Sequence, residues 1–137
     1  MNWFKVITLT AALAANTAFA EVAVIVHPSN AAALDQAEIT RLFTGRGATF
    51  NNGNKATPLN LSESAPARAD FDSKVLGKSS SQMKAYWSKL VFTGKGTPPK
   101  ELNSDAEMKA AVAADANAIG YIDAATVDAT VKVVAKF

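Results

Sequence analysis

Glu21–His27 reads EVAVIVH, and Val22–Val26 within it is an unbroken apolar run rich in β-branched residues. β-branched side chains favour extended backbone, and a run with no polar alternation has no face to offer to water. The segment therefore calls for a strand covered on both sides, the condition of strands inside a parallel sheet. Pro28 stops it, since proline brings no N–H to the ladder. The rest of the chain must supply enough amphipathic helix to cover such a sheet.

Asp35 with Glu38 three residues on has helix-opening spacing, and Ile39, Leu42 and Phe43 form an apolar stripe that ends before Gly45. Asn51–Asn54 (NNGN) is turn chemistry, and Thr57–Leu61 is a second strand. Ser62–Pro66 then leads into a helix with Arg68, Phe71, Val75 and Leu76, closed by Gly77. Met83, Tyr86, Trp87, Leu90 and Val91 recur at helical spacing, which predicts a helix over Ser79–Phe92 with that whole face inward. Thr93–Pro99 (TGKGTPP) breaks any ladder and is read as an ordered loop. Ser104 and Glu107 open a further helix to about Ala114, with Met108, Ala111 and Val112 inward, and Ala118–Ile122 and Val131–Val134 are strands. The order strand, helix, strand, three helices, two strands predicts a single α/β lobe, a mostly parallel sheet flanked by helices. Ligands in such sheets sit where strands end and helices begin.

The first twenty residues stand apart. Lys5, the apolar stretch Val6–Ala15 and the small-residue pattern Ala18-Phe19-Ala20 read as a secretory signal peptide cleaved before Glu21. The stretch falls short of the roughly 20 apolar residues needed to span a bilayer, and Thr8, Thr10 and Asn16 interrupt it. Residues 21–137 are thus expected as one exported domain, periplasmic in a Gram-negative-type cell. Fourteen Lys and Arg against twelve Asp and Glu give no basic surface for nucleic acid. With no cysteine there is no thiolate, disulfide or zinc ribbon, and a lone His27 excludes a two-histidine metal motif. No metal site and no cofactor is expected.

Ser62-Glu63-Ser64-Ala65-Pro66-Ala67-Arg68 carries the best candidate site: a strand end, two hydroxyls, a helix N-terminus and a guanidinium in the first turn. Those are the parts of an oxyanion site. The plainer alternative makes Ser62 or Ser64 a helix cap and pairs Arg68 with Asp72 at i+4. Glu63 would repel an anion at that helix end, and Pro66 removes a backbone donor. Pro28-Ser29-Asn30 could present a second polar edge or be only a turn. Thr44–Gly47 and Thr93–Gly96 lack phosphate-loop spacing and read as helix ends with solvated basic residues. His27 has no triad around it, and Asp70 and Asp72 point to different faces of a helix, so no constellation argues for an enzyme.

The order of these motifs resembles the periplasmic phosphate-binding protein family of ABC transporters, with its type II periplasmic-binding-protein-like fold. The stretches that carry the resemblance are VAVIVHPSN, ITRLFTGRGATFNNGNKATPLNL, ARADFDSKVLGKSSSQMKAYWSKLVFTGKGTPP and AIGYI, covering most of Val22–Ile122. The chain departs from the family in length, about one lobe where the family closes two, and in having Ser64-Ala65-Pro66 where the family commonly shows Ser-Gly-Thr. The resemblance implies noncovalent binding of inorganic phosphate or a related oxyanion, associated with ABC-type transport and without catalysis. Ser62, Ser64 and Arg68 would hold the anion, and Ser29 and Asn30 would line the opposite rim. Removing Arg68 is then expected to weaken binding and leave the fold intact. The alternative function is an interaction or sensor-accessory module that keeps the lobe without tight ligand binding. A membrane transporter or sensor is the expected partner, and two copies could pair to rebuild a two-lobed cleft.

Overall fold

The computed structural model describes residues 21–137, and the leader read at Met1–Ala20 lies outside them. The strand expected from the EVAVIVH run is β1 (Val22–Val26), and each of its five residues is buried. It is followed by α1 (Gln36–Phe43), β2 (Thr57–Leu61), α2 (Pro66–Phe71), α3 (Ser80–Phe92), β3 (Lys100–Leu102), α4 (Asp105–Ala114), β4 (Ala118–Asp123) and β5 (Lys132–Lys136). A π-helical turn, Asp72–Leu76, continues α2. All five strands form one sheet in the order β3-β2-β4-β1-β5. This is the mixed α/β lobe the sequence predicts.

Two details differ from expectation. β2 pairs in parallel with both β3 and β4, but β1 runs antiparallel to both of its neighbours, β4 and β5. Burial on both faces demands cover above and below the strand, and it does not specify strand direction. The second difference is β3 itself, which pairs Leu59–Leu61 of β2 with Lys100–Leu102. A three-residue edge strand with its first two residues exposed has no apolar signature for a sequence to display.

The core lies where helices cross β1 and β4. Phe71 of α2 stacks on Tyr121 of β4 with centroids 3.9 Å apart and planes 2° apart, and Phe43 of α1 meets Phe71 edge-on at 4.8 Å. These contacts join three elements in one aromatic cluster. Met108 and Val112 of α4 are buried as expected, and α4 lies so close to β4 that a Cβ on Gly120 would stand 2.3 Å from the Met108 sulfur. A larger residue there would force the Met108 side chain to shift.

α3 begins as a reciprocal capping box: the Gln82 N–H donates to Ser79 Oγ at 3.1 Å and the Ser79 N–H donates to Gln82 Oε1 at 2.8 Å. Its apolar face is only partly covered. Met83 and Trp87 are buried, Tyr86 and Leu90 are half-buried, and Val91 is 53% exposed, against the expectation of a fully inward face. α3 packs against the π-helical turn, and its Trp87 and Leu90 lie against the glycines that follow α1 and α3. Phe92 is 92% exposed. No helix among the described residues is long and apolar enough to cross a membrane.

Candidate ligand-binding site

The C-terminal end of β2 organises the candidate site. Asn60 turns its side chain inward, where its Oδ1 accepts from the Leu61 N–H at 2.9 Å and forms a short hydrogen bond with the Tyr121 hydroxyl. Burial pushes the Tyr121 phenol well above its ordinary pKa, so it stays neutral and can act as donor to Asn60. Beyond Leu61 the chain leaves the sheet, and Ser62–Ala65 connects it to α2.

The two serines face each other, Oγ to Oγ at 2.9 Å, with Ser62 half-buried and Ser64 exposed. Neither caps α2, whose N-cap is Ala65 with no side-chain hydrogen bond. Pro66 has no N–H, and the Arg68 N–H closes onto the Ala65 carbonyl at 3.0 Å, so Ala67 is the first-turn position left to offer a donor. Ser64 opens on a small hollow of about 260 Å³ that Asp105 and Asp123 also line, an acidic setting for any anion.

Arg68 is buried, and the i+4 alternative read from the sequence is realised: its Nε donates to Asp72 Oδ2 at 2.8 Å. Its Nη1 donates to the Leu61 carbonyl at 2.7 Å and to Glu101 Oε1 at 3.2 Å. Burial opposes the guanidinium charge, but the hydrogen bond and charge of Asp72 outweigh it and hold Arg68 above its ordinary pKa. Asp72 also accepts from Ser80 Oγ at 2.8 Å, which ties the start of α3 to the pair. Removing one member of a buried ion pair strands the other charge, at about 3–5 kcal/mol. Against the expectation from the sequence, the buried pair predicts that deleting Arg68 destabilises the fold.

One guanidinium nitrogen keeps a free side. Nη2 has no hydrogen-bond partner among the described residues and is not sealed from solvent, and Arg68 forms part of the wall of a cleft of about 680 Å³ beside β2. The opposite wall is α3, with Lys84, Trp87, Val91 and Phe92, and Glu63 and Glu101 complete the charged rim. Lys84, Val91 and Phe92 are the functional candidates that sequence reasoning missed. Helical spacing places Val91 with the core residues, and an isolated exposed lysine gives no signal.

Ser29 and Asn30 are not part of this site. β1 pairs Val26 with Ile119 and Val22 with Asp123 of β4, while β2 pairs Thr57 with Ala118. The chain after β1 therefore leaves the sheet at the edge where β2 and β4 begin, and Ser62 lies at the edge where they end. Five residues of strand, about 17 Å, separate the two edges. Both residues serve the turn: Ser29 donates its N–H to His27 Nδ1 at 3.0 Å, and Asn30 Oδ1 accepts from the Ala32 N–H at 2.9 Å. Had β1 been parallel to β2, its following loop would have joined the site.

The described residues contain no cluster of three or more His, Cys, Asp or Glu able to hold a metal ion. No family model and no curated protein matches the chain. Its fold does match solved structures. An ABC-type phosphate transport receptor from Vibrio cholerae aligns with a TM-score of 0.65 at 21% identity, covering 84% of this chain and 46% of the receptor. A phosphate ABC transporter substrate-binding protein from Clostridium perfringens, solved with bound phosphate, aligns at 0.64 and 20%, covering 84% and 45%. PstS from Borrelia burgdorferi aligns at 0.59 and 11%, covering 85% and 47%. The chain spans about half the length of these proteins, and it has the fold of a phosphate-binding-protein lobe.

Proposed function

We propose that the chain is an exported, non-catalytic oxyanion-binding lobe associated with ABC-type phosphate transport, released into the periplasm by cleavage of Met1–Ala20. The observation that carries this reading is the buried, charged Arg68 at the end of β2, which forms part of the cleft wall and whose Nη2 has no hydrogen-bond partner among the described residues, in a fold shared with phosphate-binding substrate receptors. Lys84 adds a second positive charge from α3, and Ser62 and Ser64 supply hydroxyls at the adjoining strand end. Nothing in this arrangement provides a nucleophile beside a base, so the work is binding.

Isothermal titration with inorganic phosphate, using sulfate as control, tests the proposal. Saturable heat with phosphate is expected. Glu63→Gln should strengthen it by about 0.5 kcal/mol, because a like charge leaves the start of α2, and Lys84→Gln should weaken it by a similar amount. Absence of heat with both anions, in the parent and in Glu63→Gln, would overturn it. A second reading, an interaction module docked on an envelope protein, is favoured by the outward-facing Val91 and Phe92 at the end of α3.

A further inference from the structure

We infer that the cleft between β2 and α3 is built for a singly charged organic anion with an apolar tail, such as an aryl or alkyl carboxylate, and less for a compact dianion. The inference rests on the reading of this cleft as an anion site and names the chemical class it takes. Its volume, about 680 Å³, is that of a small-molecule pocket. Arg68 and Lys84 share its lining with Glu63 and Glu101, and Arg68 is already paired with Asp72 and Glu101, so the site carries no surplus positive charge. A second negative charge on a ligand would find no further positive partner and would meet two carboxylates. A single carboxylate can use Arg68 Nη2, which is held in place by the bonds to Asp72 and Leu61 and needs no reordering to donate.

The remaining wall explains the tail. Trp87, Val91, Phe92 and Pro98 line the same cleft, and inorganic phosphate has no use for them. Phe92 is 92% exposed at the end of a helix whose larger apolar residues up to Leu90 are buried or half-buried. Placed beside a fixed guanidinium, this apolar wall complements an amphiphilic anion: the head at Arg68, the tail along α3.

Trp87 supplies the readout. In the full chain carrying Trp3→Phe, Trp87 is the one tryptophan, and its emission can be followed during titration with phenylacetate, the neutral phenylacetamide and inorganic phosphate. Phenylacetate is expected to give a saturable change at lower concentration than phosphate, and phenylacetamide at least about tenfold weaker binding, from loss of the charge-assisted bond. Phe92→Ser, at a position too exposed to affect folding, should weaken phenylacetate about tenfold and leave phosphate unchanged. Binding of phosphate without phenylacetate, equal binding of the amide, or indifference to Phe92→Ser would each overturn the inference while leaving the oxyanion reading standing. Failure of both anions would overturn the two together.

Discussion

The centre of the sheet and the α3 edge both bury aromatic residues, but they do so with different neighbours. Phe71 and Tyr121 stack inside a continuous core with strands beneath and helices above. Trp87 and Met83 are buried outside that cluster, and Trp87 lies over backbone, near Gly45 and Gly96. The centre is closed on every side, whereas the edge is closed on one side and opens on the cleft along the other. A closed core tolerates little change in volume, and a half-closed edge can admit a ligand.

That contrast can be broken by measurement. Phe71→Ala should have the largest effect, about 3–5 kcal/mol by urea denaturation, because the hole it leaves is walled by Phe43 and Tyr121 and has little room to collapse. Trp87→Ala should fall at or just below the bottom of that range, about 3 kcal/mol, since the surrounding loops can relax into the space. Equal costs for the two would mean that the edge is as tightly packed as the centre.

Gly45→Ala sharpens the same point at smaller amplitude. Gly45 ends α1 with φ +73°, and a Cβ there would stand 2.9 Å from Trp87 Cη2. The left-handed backbone and the indole contact together should remove about 1–2 kcal/mol of stability. A midpoint equal to the parent's would show that Trp87 is free to shift.

The smallest effect is electrostatic. The Thr130 hydroxyl and N–H, followed by Lys109, hold the exposed Asp128 carboxyl down at about 2. A depressed carboxylate favours the folded state above its unfolded value of 3.8, and that contribution disappears as pH falls through about 2. Solvent screening keeps it slight. Carboxyl NMR titration should find Asp128 near 2 in the parent and nearer its ordinary value in Thr130→Val. No movement between the two would assign the shift to the Thr130 N–H and Lys109 instead.

The elements with strong local signals were legible in the sequence. β1, α1, the helix after Pro66, α3, α4 and β4 are each marked by a continuous apolar run, apolar periodicity or a capping side chain, and these signals are written within about a dozen residues. Gly45 and Gly94 follow α1 and α3 with positive φ, as their sequence positions suggest. β3 was not legible, because its pairing with β2 depends on backbone hydrogen bonds and not on side-chain pattern. The inward assignment of Val91 failed because periodicity fixes which residues share a helix face, while the length of the opposing surface fixes how many of them are covered.

The candidate site divides in the same way. By itself the sequence determined that Ser62, Ser64 and Arg68 gather at a strand-to-helix junction, and that Arg68 and Asp72 lie one helical turn apart. Only the tertiary structure decided the rest: that β1 runs antiparallel and carries Ser29 and Asn30 to the far edge, that Glu101 comes from a neighbouring strand to share Arg68, and that Lys84 and Phe92 face them across a cleft. The physical reason is range. Caps, helical spacing and i+4 pairs act between neighbours in the chain, whereas strand direction and the meeting of α3 with the β2–β3 edge depend on closing loops of tens of residues around one core.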